Sequence, residues 1–405
     1  MGYKTYTCPH MSTCGACELL AVPYEMQLQR KQDELAELFA PFGIEPEPII
    51  GMDEPVAYRA KVMTPFQPGP KGKLLHGMYA KGTHEIVPLQ ECLVEDPAAQ
   101  PIIATIAELA REFHIPAYQE DTGRGLLRHA IVRVAATSGE CMVTLVINRK
   151  EFPRKKEFVR ALVDEHPEIA TVVFNVNTRN TNAVLGPSTS VAYGQGWLED
   201  ELCGCTFHIP ADAFYQTNPT QTEVLYKTAI RFAEPLAGEV IIDAYCGIGT
   251  IGICAAKAAR APRLKKNKKG KRPNIPPVPV QLIGIESTPS AVEIATQNAK
   301  LNRVKCADFI CGDAAEIFAH GETVCDLVFM DPPRSGASPE FIEGLLAAAP
   351  KRIVYISCNP ATQVRDLEAL GDVYRIKRVV GVDMFPHTKH VETVVLMTRR
   401  DAGSL

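Results

Sequence analysis

The chain has 405 residues, enough for two or three domains, and its content of 46% hydrophobic and 22% charged residues is that of an ordinary globular protein. The formal net charge of −4 excludes a molecule that binds polyanions over its whole surface. No apolar run approaches the roughly 20 residues that span a bilayer, and the start of the chain lacks the apolar core of a signal peptide. We therefore expect a cytoplasmic protein with no membrane contact.

Thirteen cysteines, an odd number spread along the chain, argue against a disulfide framework and for reduced thiols. Cys8, Cys14 and Cys17 form a CxxxxxCxxC pattern, and Cys92 supplies a fourth thiol further along. Three close thiolates and one distant thiolate can bind either zinc or an iron–sulfur cluster. The spacing alone does not choose between them.

The first half of the chain predicts a mixed α+β region that ends near residue 205. Leucines at helical spacing predict the first helix, and glycines and prolines from 56 to 92 separate short stretches that suggest small strands and hairpins. The predicted elements are helices at 23–40 and roughly 97–114, a hairpin formed by 131–136 and 141–147, and a strand at 172–176.

After residue 210 the pattern changes to alternating strands and helices. Such alternation implies a parallel sheet with helices on both faces, which is an α/β fold. The predicted strands are 240–244, 282–286, 326–331, 353–357, 374–382 and 391–398, and the predicted helices are 251–260, 289–301 and 338–348.

A strongly basic run interrupts this pattern. Eight Lys or Arg residues and no acid lie between Arg260 and Arg272. One interpretation is a surface loop that captures phosphate groups with salt-sensitive affinity. The other is a loop that is merely solvated, and both remain open.

Residues 243–250, with the sequence DAYCGIGT, lie between a predicted strand and a predicted helix. Glycines there let the backbone turn tightly and approach a ligand, and Glu286, at the end of the next strand, is placed to hold ribose hydroxyls. The loop has only two glycines. S-adenosylmethionine is therefore favoured over a nicotinamide dinucleotide, because its nucleoside occupies the same crevice without a pyrophosphate.

Two further motifs follow near the carboxyl end of the chain. Residues 357–360 (SCNP) end an apolar strand, which places the thiol of Cys358 at the carboxyl edge of the sheet, and residues 385–392 read FPHTKHVE. With residues 331–334 (DPPR) upstream, they resemble the RNA uracil-5-methyltransferase family. The resemblance covers nearly the whole chain, because the cysteine cluster, FYQTN at 214–218 and the 243–250 loop stand in family order.

The resemblance implies a class I methyltransferase (Rossmann-like) catalytic domain after an N-terminal α+β iron–sulfur and RNA-binding region. We expect a cysteine-cluster region at 1–95, a central α+β region that contacts RNA at 96–209, and an S-adenosylmethionine-dependent domain at 210–405. The last two predicted strands resemble the antiparallel pair that closes class I methyltransferase sheets.

The family chemistry assigns two catalytic residues. Uracil C5 becomes nucleophilic only after a thiolate adds at C6, and the C5 proton must leave before the thiol is eliminated. By resemblance Cys358 adds to C6, the enolate takes the methyl group, and Glu392 removes the proton. The residues that match family positions around the cofactor are Gln216, Tyr245, Glu286, Asp313 and Asp331.

Arg334 stands where amino-methylating enzymes with a related (D/N)PP motif carry an aromatic residue, which argues against adenine N6 methylation. No role is assigned to His387 or His390, which either orient RNA phosphate or pack. An RNA cytosine-5 methyltransferase is disfavoured because its second cysteine usually lies in a Pro-Cys dipeptide, and none occurs here.

The resemblance favours a 4Fe-4S cluster on Cys8, Cys14, Cys17 and Cys92, with zinc as the alternative. Because methyl transfer to an enolate is redox-neutral, we expect the cluster to be structural or to position RNA.

Family members modify ribosomal or transfer RNA. This chain begins at the cysteine cluster, without the small β-barrel that some ribosomal members carry in front, which makes it similar to the shorter 23S ribosomal RNA enzymes. We expect 23S ribosomal RNA as the substrate, with transfer RNA as the alternative and no obligate protein partner. A non-catalytic iron–sulfur RNA-binding protein is the alternative from another class, and it leaves the SCNP, DPPR and HVE motifs unexplained.

Overall fold

The computed structural model describes residues 4–261, 278–319 and 324–401. Most of the basic run between Arg260 and Arg272 lies outside the described residues. The helices are α1 (Tyr24–Phe39), α2 (Ala99–Glu112), α3 (Lys155–Glu165), α4 (Pro219–Ala233), α5 (Thr250–Ala258), α6 (Pro289–Leu301), α7 (Ala314–Ala319), α8 (Pro339–Ala348) and α9 (Pro360–Leu370). The strands are β1 (Glu47–Ile50), β2 (Lys61–Pro68), β3 (Leu74–Tyr79), β4 (Ile86–Pro88), β5 (Leu127–Val134), β6 (Cys141–Ile147), β7 (Ile169–Val176), β8 (Ser188–Tyr193), β9 (Trp197–Leu202), β10 (Cys205–Pro210), β11 (Val240–Ala244), β12 (Gln281–Glu286), β13 (Ala307–Cys311), β14 (Leu327–Met330), β15 (Arg352–Ser357), β16 (Tyr374–Val382) and β17 (Glu392–Arg399).

An eight-stranded sheet carries the second half of the chain, in the order β1-β16-β17-β15-β14-β11-β12-β13. Strands β11 to β15 pair in parallel, whereas β17 is antiparallel to both β15 and β16. This is the alternating α/β architecture that the sequence predicted, with the predicted antiparallel pair at its end. The class I methyltransferase fold is therefore confirmed.

Both faces of this sheet are buried. Alternate side chains of a strand point to opposite faces, so each strand contributes to both. In β15, Val354 and Ile356 pack in one hydrophobic cluster with Phe329, while Ile353 and Tyr355 pack in another on the other face. Helices cover both faces, as parallel strands require. The carboxyl ends of the parallel strands are left open at one edge.

Strand β1 extends the eight-stranded sheet from the other end of the chain. It pairs in parallel with β16, with Glu47 opposite Val380 and Ile50 opposite Val382. Helix α1 packs against α9 and β16. Strand β1 covers an edge of β16 that would otherwise present unpaired backbone groups. The segment 24–50 is thus built into the sheet of the catalytic half.

A seven-stranded sheet, in the order β4-β3-β2-β5-β6-β7-β8, forms the other large unit. Helix α2 packs on β3 and β5, and the predicted hairpin is present as β5 and β6. Strands from both sides of residue 95 pair within this sheet, so it does not follow the expected division of the chain at that position. Strands β9 and β10 form a separate hairpin. In the part of the chain that the structure describes, no helix has the length and apolar character to cross a bilayer.

Candidate active site

Cys358 lies on the turn that follows β15. All six residues of this strand are buried, and Pro360 begins helix α9 two residues later. The turn is fixed by hydrogen bonds, because the backbone N–H of Asn359 donates to Ser357 Oγ at 3.1 Å and Asn359 Nδ2 donates to the carbonyl of Arg334 at 3.1 Å. The half-buried thiol therefore has a defined position at the open edge of the sheet.

Glu392 is brought to the same edge by strand pairing. It is the first residue of β17, where Val382 is its partner, and the next residue, Thr393, pairs with Ser357. Because β17 runs antiparallel to β15, its beginning lies beside the end of β15. Glu392 is buried, with 4% of its surface exposed. The register thus places a buried carboxyl next to the strand that ends at Cys358.

Neighbouring charges shift the pKa of both residues of this pair. Burial raises the pKa of Glu392 to about 8, the charge of Asp331 adds to the rise, and Arg334 opposes it. Burial also raises the pKa of the Cys358 thiol, and the charges of Glu392 and Asp331 raise it further. Arg334 opposes this rise through a hydrogen bond and its charge. One thiol, two carboxyls and one guanidinium therefore share a small volume.

Arg334 is the residue of this group to which the sequence reasoning gave no role. Its backbone carbonyl accepts hydrogen bonds from Asn359 and from Thr362 Oγ1, at 3.1 and 3.3 Å, which tie the DPPR loop to the turn that carries Cys358. A signal was available, since DPPR follows β14 and SCNP follows β15, and the two strands are parallel neighbours. Loops that leave neighbouring parallel strands at the same end meet.

Asp331 connects the catalytic pair to the cofactor loop. It directly follows β14, and burial raises its pKa to about 7. Its charge raises the pKa of Glu392 on one side and of Asp243 on the other. Burial is the largest cause of the rise at Asp243, to about 8, and the charge of Glu286 also contributes.

The loop from 245 to 250 is shaped by left-handed backbone and by two carboxylates. Tyr245, Gly247 and Gly249 all have positive φ, at 65°, 54° and 82°. Glu286 accepts a hydrogen bond from the Gly247 N–H at 3.1 Å, and Asp243 accepts one from the Gly252 N–H at 2.8 Å. The carboxylates thereby hold the loop and the first turn of α5 in place.

The remaining predicted cofactor residues occupy different positions around this crevice. The Tyr245 ring packs against Phe341, and burial raises its pKa to about 12, with the charge of Asp313 contributing. Asp313 is exposed and accepts a hydrogen bond from Ala315 N–H at 2.7 Å, just before α7. Gln216 lies on the loop before α4, and its side chain forms no hydrogen bond with the other predicted site residues. Tyr245 and Asp313 are therefore brought together.

The connection from β16 to β17, which precedes Glu392, is anchored by helix α1. Lys31 Nζ lies 2.7 Å from Asp383 Oδ1, and Tyr24 donates its hydroxyl proton to Asp383 Oδ2 at 2.9 Å. Gln27 binds both the ring Nδ1 and the backbone N–H of His387, at 3.1 and 2.9 Å. Of the two unassigned histidines, His387 is thus fully buried and packed.

His390, three residues further on, is exposed. Partial desolvation is the largest cause that lowers its pKa, and the charge of Arg334 is the next. His390 therefore stands near the DPPR loop rather than inside the core.

The four cysteines of the predicted cluster are all half-buried. Burial raises the pKa of Cys17 to about 12, and Cys92, Cys14 and Cys8 all contribute to the rise, while Arg59 opposes it. The fold thus collects thiols from both ends of the 8–92 segment. Within residues 4–261, 278–319 and 324–401, no group of three or more His, Cys, Asp or Glu side chains is arranged to hold a metal ion.

The crevice fits S-adenosylmethionine. Each carboxylate oxygen has more than one lone pair, so Glu286 can accept from ribose hydroxyls while it holds the loop. The buried carboxyls of Asp243 and Asp331 complement a positively charged sulfonium.

Comparisons with known proteins agree with this geometry. Residues 281–400 match the family described as tRNA (Uracil-5-)-methyltransferase, and residues 222–337 match the RMKL-like methyltransferase domain. An uncharacterized RNA methyltransferase of Staphylococcus aureus (strain COL) is 36% identical over 396 residues, covering 96% of this chain and 83% of the relative. One from Bacillus cereus is 35% identical over 405 residues, covering 98% of this chain and 83% of the relative.

Among solved structures, the tRNA (uracil-54, C5)-methyltransferase of Pyrococcus abyssi, in complex with S-adenosyl-L-homocysteine, superposes with a TM-score of 0.75 at 26% identity. The match covers 97% of this chain and 87% of the other. The relatives are alike over nearly the whole chain, and both the fold and the cofactor class agree. The chain therefore belongs to the tRNA (uracil-5-)-methyltransferase family of S-adenosylmethionine-dependent RNA methyltransferases.

Proposed function

We propose that this enzyme methylates C5 of a uridine in structured RNA, with Cys358 as the nucleophile and Glu392 as the base. The observation that carries the proposal is the strand register, since Ser357 pairs with Thr393 and so sets the buried carboxyl of Glu392 beside the Cys358 turn. Covalent activation of uracil needs a thiol and a base that both reach the same uracil ring. The pairing of β15 with β17 supports this, because both groups lie at the same edge of the sheet.

Cys358 begins the reaction by adding to C6 of the uracil, which converts C5 into a nucleophile. Burial raises the pKa of the thiol, so the thiolate needs a stabilising partner. Arg334 is that partner, because its hydrogen bond and charge both favour the thiolate. When bound, S-adenosylmethionine supplies the electrophilic methyl group.

Glu392 ends the reaction by removing the C5 proton, after which the bond from C6 to Cys358 breaks and Cys358 leaves as a thiolate. A carboxyl whose pKa is about 8 is a far stronger base than an exposed glutamate. Its burial excludes water from the proton transfer. Asp331 contributes by keeping the Glu392 pKa high.

Five residues are proposed to surround the cofactor: Gln216, Tyr245, Glu286, Asp313 and Asp331. Tyr245 begins the 245–250 loop, Glu286 accepts a hydrogen bond from that loop, and the charge of Asp331 acts on the catalytic pair. Asp313 acts on the Tyr245 side of the crevice.

The substrate is proposed to be 23S ribosomal RNA, with the target uridine turned out of its stack so that Cys358 can reach C6. Transfer RNA is the second candidate, and one observation favours it. The Pyrococcus abyssi protein, whose match covers 97% of this chain, acts on uracil 54 of transfer RNA.

Nucleoside mass spectrometry tests both candidates. Purified enzyme is given S-adenosylmethionine and either 23S ribosomal RNA or transfer RNA, and 5-methyluridine is quantified and mapped. Product in ribosomal RNA alone supports the first assignment, and product in transfer RNA alone moves the assignment to the second. Absence of product in both overturns the proposed activity.

Two variants test the assigned roles. Cys358→Ala should give neither methylated product nor covalent adduct while it still binds RNA. Glu392→Gln should transfer the methyl group but retain the RNA on Cys358, as a band that resists denaturing electrophoresis. Full turnover by either variant contradicts the mechanism.

We also propose that Cys8, Cys14, Cys17 and Cys92 hold a 4Fe-4S cluster that stabilises the N-terminal region or positions RNA. Support comes from the donor set, since the charges of Cys8, Cys14 and Cys92 all raise the pKa of Cys17 and the cationic Arg59 lies near Cys17 and Cys92. All-thiolate sites suit iron–sulfur clusters and zinc.

Anaerobic purification followed by assays of iron, acid-labile sulfide and zinc separates the two metals. Equal iron and sulfide, lost together in Cys14→Ser, support the cluster, whereas stoichiometric zinc without sulfide supports the alternative. If Cys14→Ser leaves metal content, folding and RNA affinity unchanged, the proposal fails.

A further inference from the structure

Three cysteines that the reaction does not use meet on the side of the molecule formed by the β9–β10 hairpin and helix α5. Cys203 lies in the turn of the hairpin, Cys205 begins β10, and Cys254 lies on α5. Cys205 and Cys254 belong to one hydrophobic cluster, and Cys203 packs against it. The Cys254 thiol donates to the carbonyl of Leu202 at 3.5 Å. These three residues are called the thiol triad below.

The backbone at Cys203 is unusual. Cys203 and Gly204 form a two-residue hairpin turn in which both residues have positive φ, at 53° and 73°. Such turns favour Gly, which has no Cβ, and Asn or Asp, whose short polar side chains tolerate the left-handed region.

A cavity of about 520 Å³ opens onto the thiol triad. Cys203 and Cys254 both line it, Cys203 is half-buried, and Cys205 is 1% exposed. Among the described residues that line this cavity are four cations and one acid, namely Lys227, Arg231, Lys257 and Arg260 with Glu234. A pair of adjacent thiols therefore faces a positively charged, solvent-connected space.

We propose that Cys203 is a modification site for an anionic low-molecular-weight disulfide, and that Cys254 resolves the product into a Cys203–Cys254 bond. The cationic wall attracts the anionic reagent to the half-buried Cys203, and Cys254 lines the same cavity. Cytoplasmic disulfides are generally transient and redox-sensing, which matches a site at the surface rather than in a core.

The chemistry is ordinary thiol–disulfide exchange. The Cys203 thiolate attacks one sulfur of the reagent, so that a protein–reagent disulfide forms and one reagent thiolate leaves. Cys254 then loses its proton and attacks the Cys203 sulfur, which releases the second reagent thiol. In total two protein thiols are oxidised and one reagent disulfide is reduced to two thiols.

The electrostatic setting supports this order of attack. The neighbouring Cys254 thiol and the charge of Lys227 both lower the pKa of Cys203, whereas Cys203, Cys205 and burial raise the pKa of Cys254. The thiol that faces solvent is therefore the more reactive one.

The test uses the full-length protein and oxidised glutathione, which carries a net negative charge. Samples are quenched by alkylation at timed intervals, digested and analysed by mass spectrometry. The exposed Cys306 and Cys311 serve as internal references. We expect Cys203 to react about tenfold faster than these references, with a peptide pair linked through Cys203 and Cys254 as the final product.

Variants of the triad separate the two steps. In Cys254→Ser the reaction should stop at the mixed disulfide between glutathione and Cys203. In Cys203→Ser the thiol of Cys254 should stay reduced. Cys205→Ser is the matched control and should still give the Cys203–Cys254 product. Each variant is compared with the wild type by circular dichroism before the reaction.

Lys227→Gln tests the cationic wall. It should slow the reaction with oxidised glutathione but not the reaction with the uncharged disulfide of 2-mercaptoethanol. The proposal is overturned if Cys203 reacts no faster than Cys306 and Cys311, if the linked product joins Cys205 to Cys254, or if Lys227→Gln slows both reagents equally.

Discussion

The buried ion pair between Lys31 and Asp383 is predicted to be a strong determinant of stability. The side chains are 2% and 0% exposed, and the nitrogen–oxygen distance is 2.7 Å. Removing one partner of such a pair leaves an uncompensated buried charge, which costs about 3–5 kcal/mol. Tyr24 also donates to Asp383, so Lys31→Met leaves this carboxylate one hydrogen bond and should fall near the lower end.

Equilibrium urea unfolding of Lys31→Met measures this loss. The matched control is Arg30→Met on the same helix, where the side chain is exposed and a change within about 0.5 kcal/mol is expected. The double variant Lys31→Met with Asp383→Leu removes both charges and should recover most of the lost stability. A loss below about 1 kcal/mol in Lys31→Met, or no recovery in the double variant, refutes the reasoning.

Three further outcomes are expected. The native pKa of Glu392 is about 8, above the ordinary value of 4.5, so the folded state binds the extra proton between these values and stability falls as pH rises through this window. Glu392→Gln should therefore be more stable than the wild type at pH 8.5 and about equal at pH 4, and equal stability at both values in urea titrations contradicts this. Asp331→Asn should lower the pKa of Glu392. In single-turnover assays the rate at which the covalent adduct resolves rises with pH as Glu392 ionises, and the midpoint of this rise should move to lower pH. An unmoved midpoint contradicts the effect of the Asp331 charge on Glu392. In Gly252→Ala the new Cβ would lie 2.8 Å from Asp243 Oδ2, so calorimetry should show weaker S-adenosylhomocysteine binding, whereas Gly139→Ala, with nothing within 4 Å, should bind as the wild type does.

The motifs and the alternation of elements predicted the catalytic half well, because both are local in the sequence. Cys358 could be placed at a strand end from the four apolar residues 353–356 and a following Asn-Pro. The partnership with Glu392 depends on the register of β15 with β17, which periodicity does not specify. The family motif supplied that link instead of any physical signal in the chain.

The parts that the sequence reasoning missed depend on contacts between distant segments. The buried positions of α1 include Tyr24, Gln27, Lys31 and Leu35, which lie at helical spacing on one face. Two polar side chains on such a face signal buried partners, but nothing local identifies Asp383 or His387 as those partners. In the same way, the pairing of β1 with β16 joins segments more than 300 residues apart. Such pairings follow from the assembled sheet and not from any one segment.

The raised pKa values in the active site have one physical cause and one consequence. Burial is the largest cause at Asp243, Asp331 and Glu392 alike, and their charges oppose one another. An apolar crevice that holds several carboxyls is costly for the fold unless a cation offsets them. A positively charged sulfonium in this crevice would favour the ionised carboxylates. Methyl transfer would turn the sulfonium into a neutral thioether, so the proton affinity of an ionised Glu392 would rise again at the point where the C5 proton has to be removed.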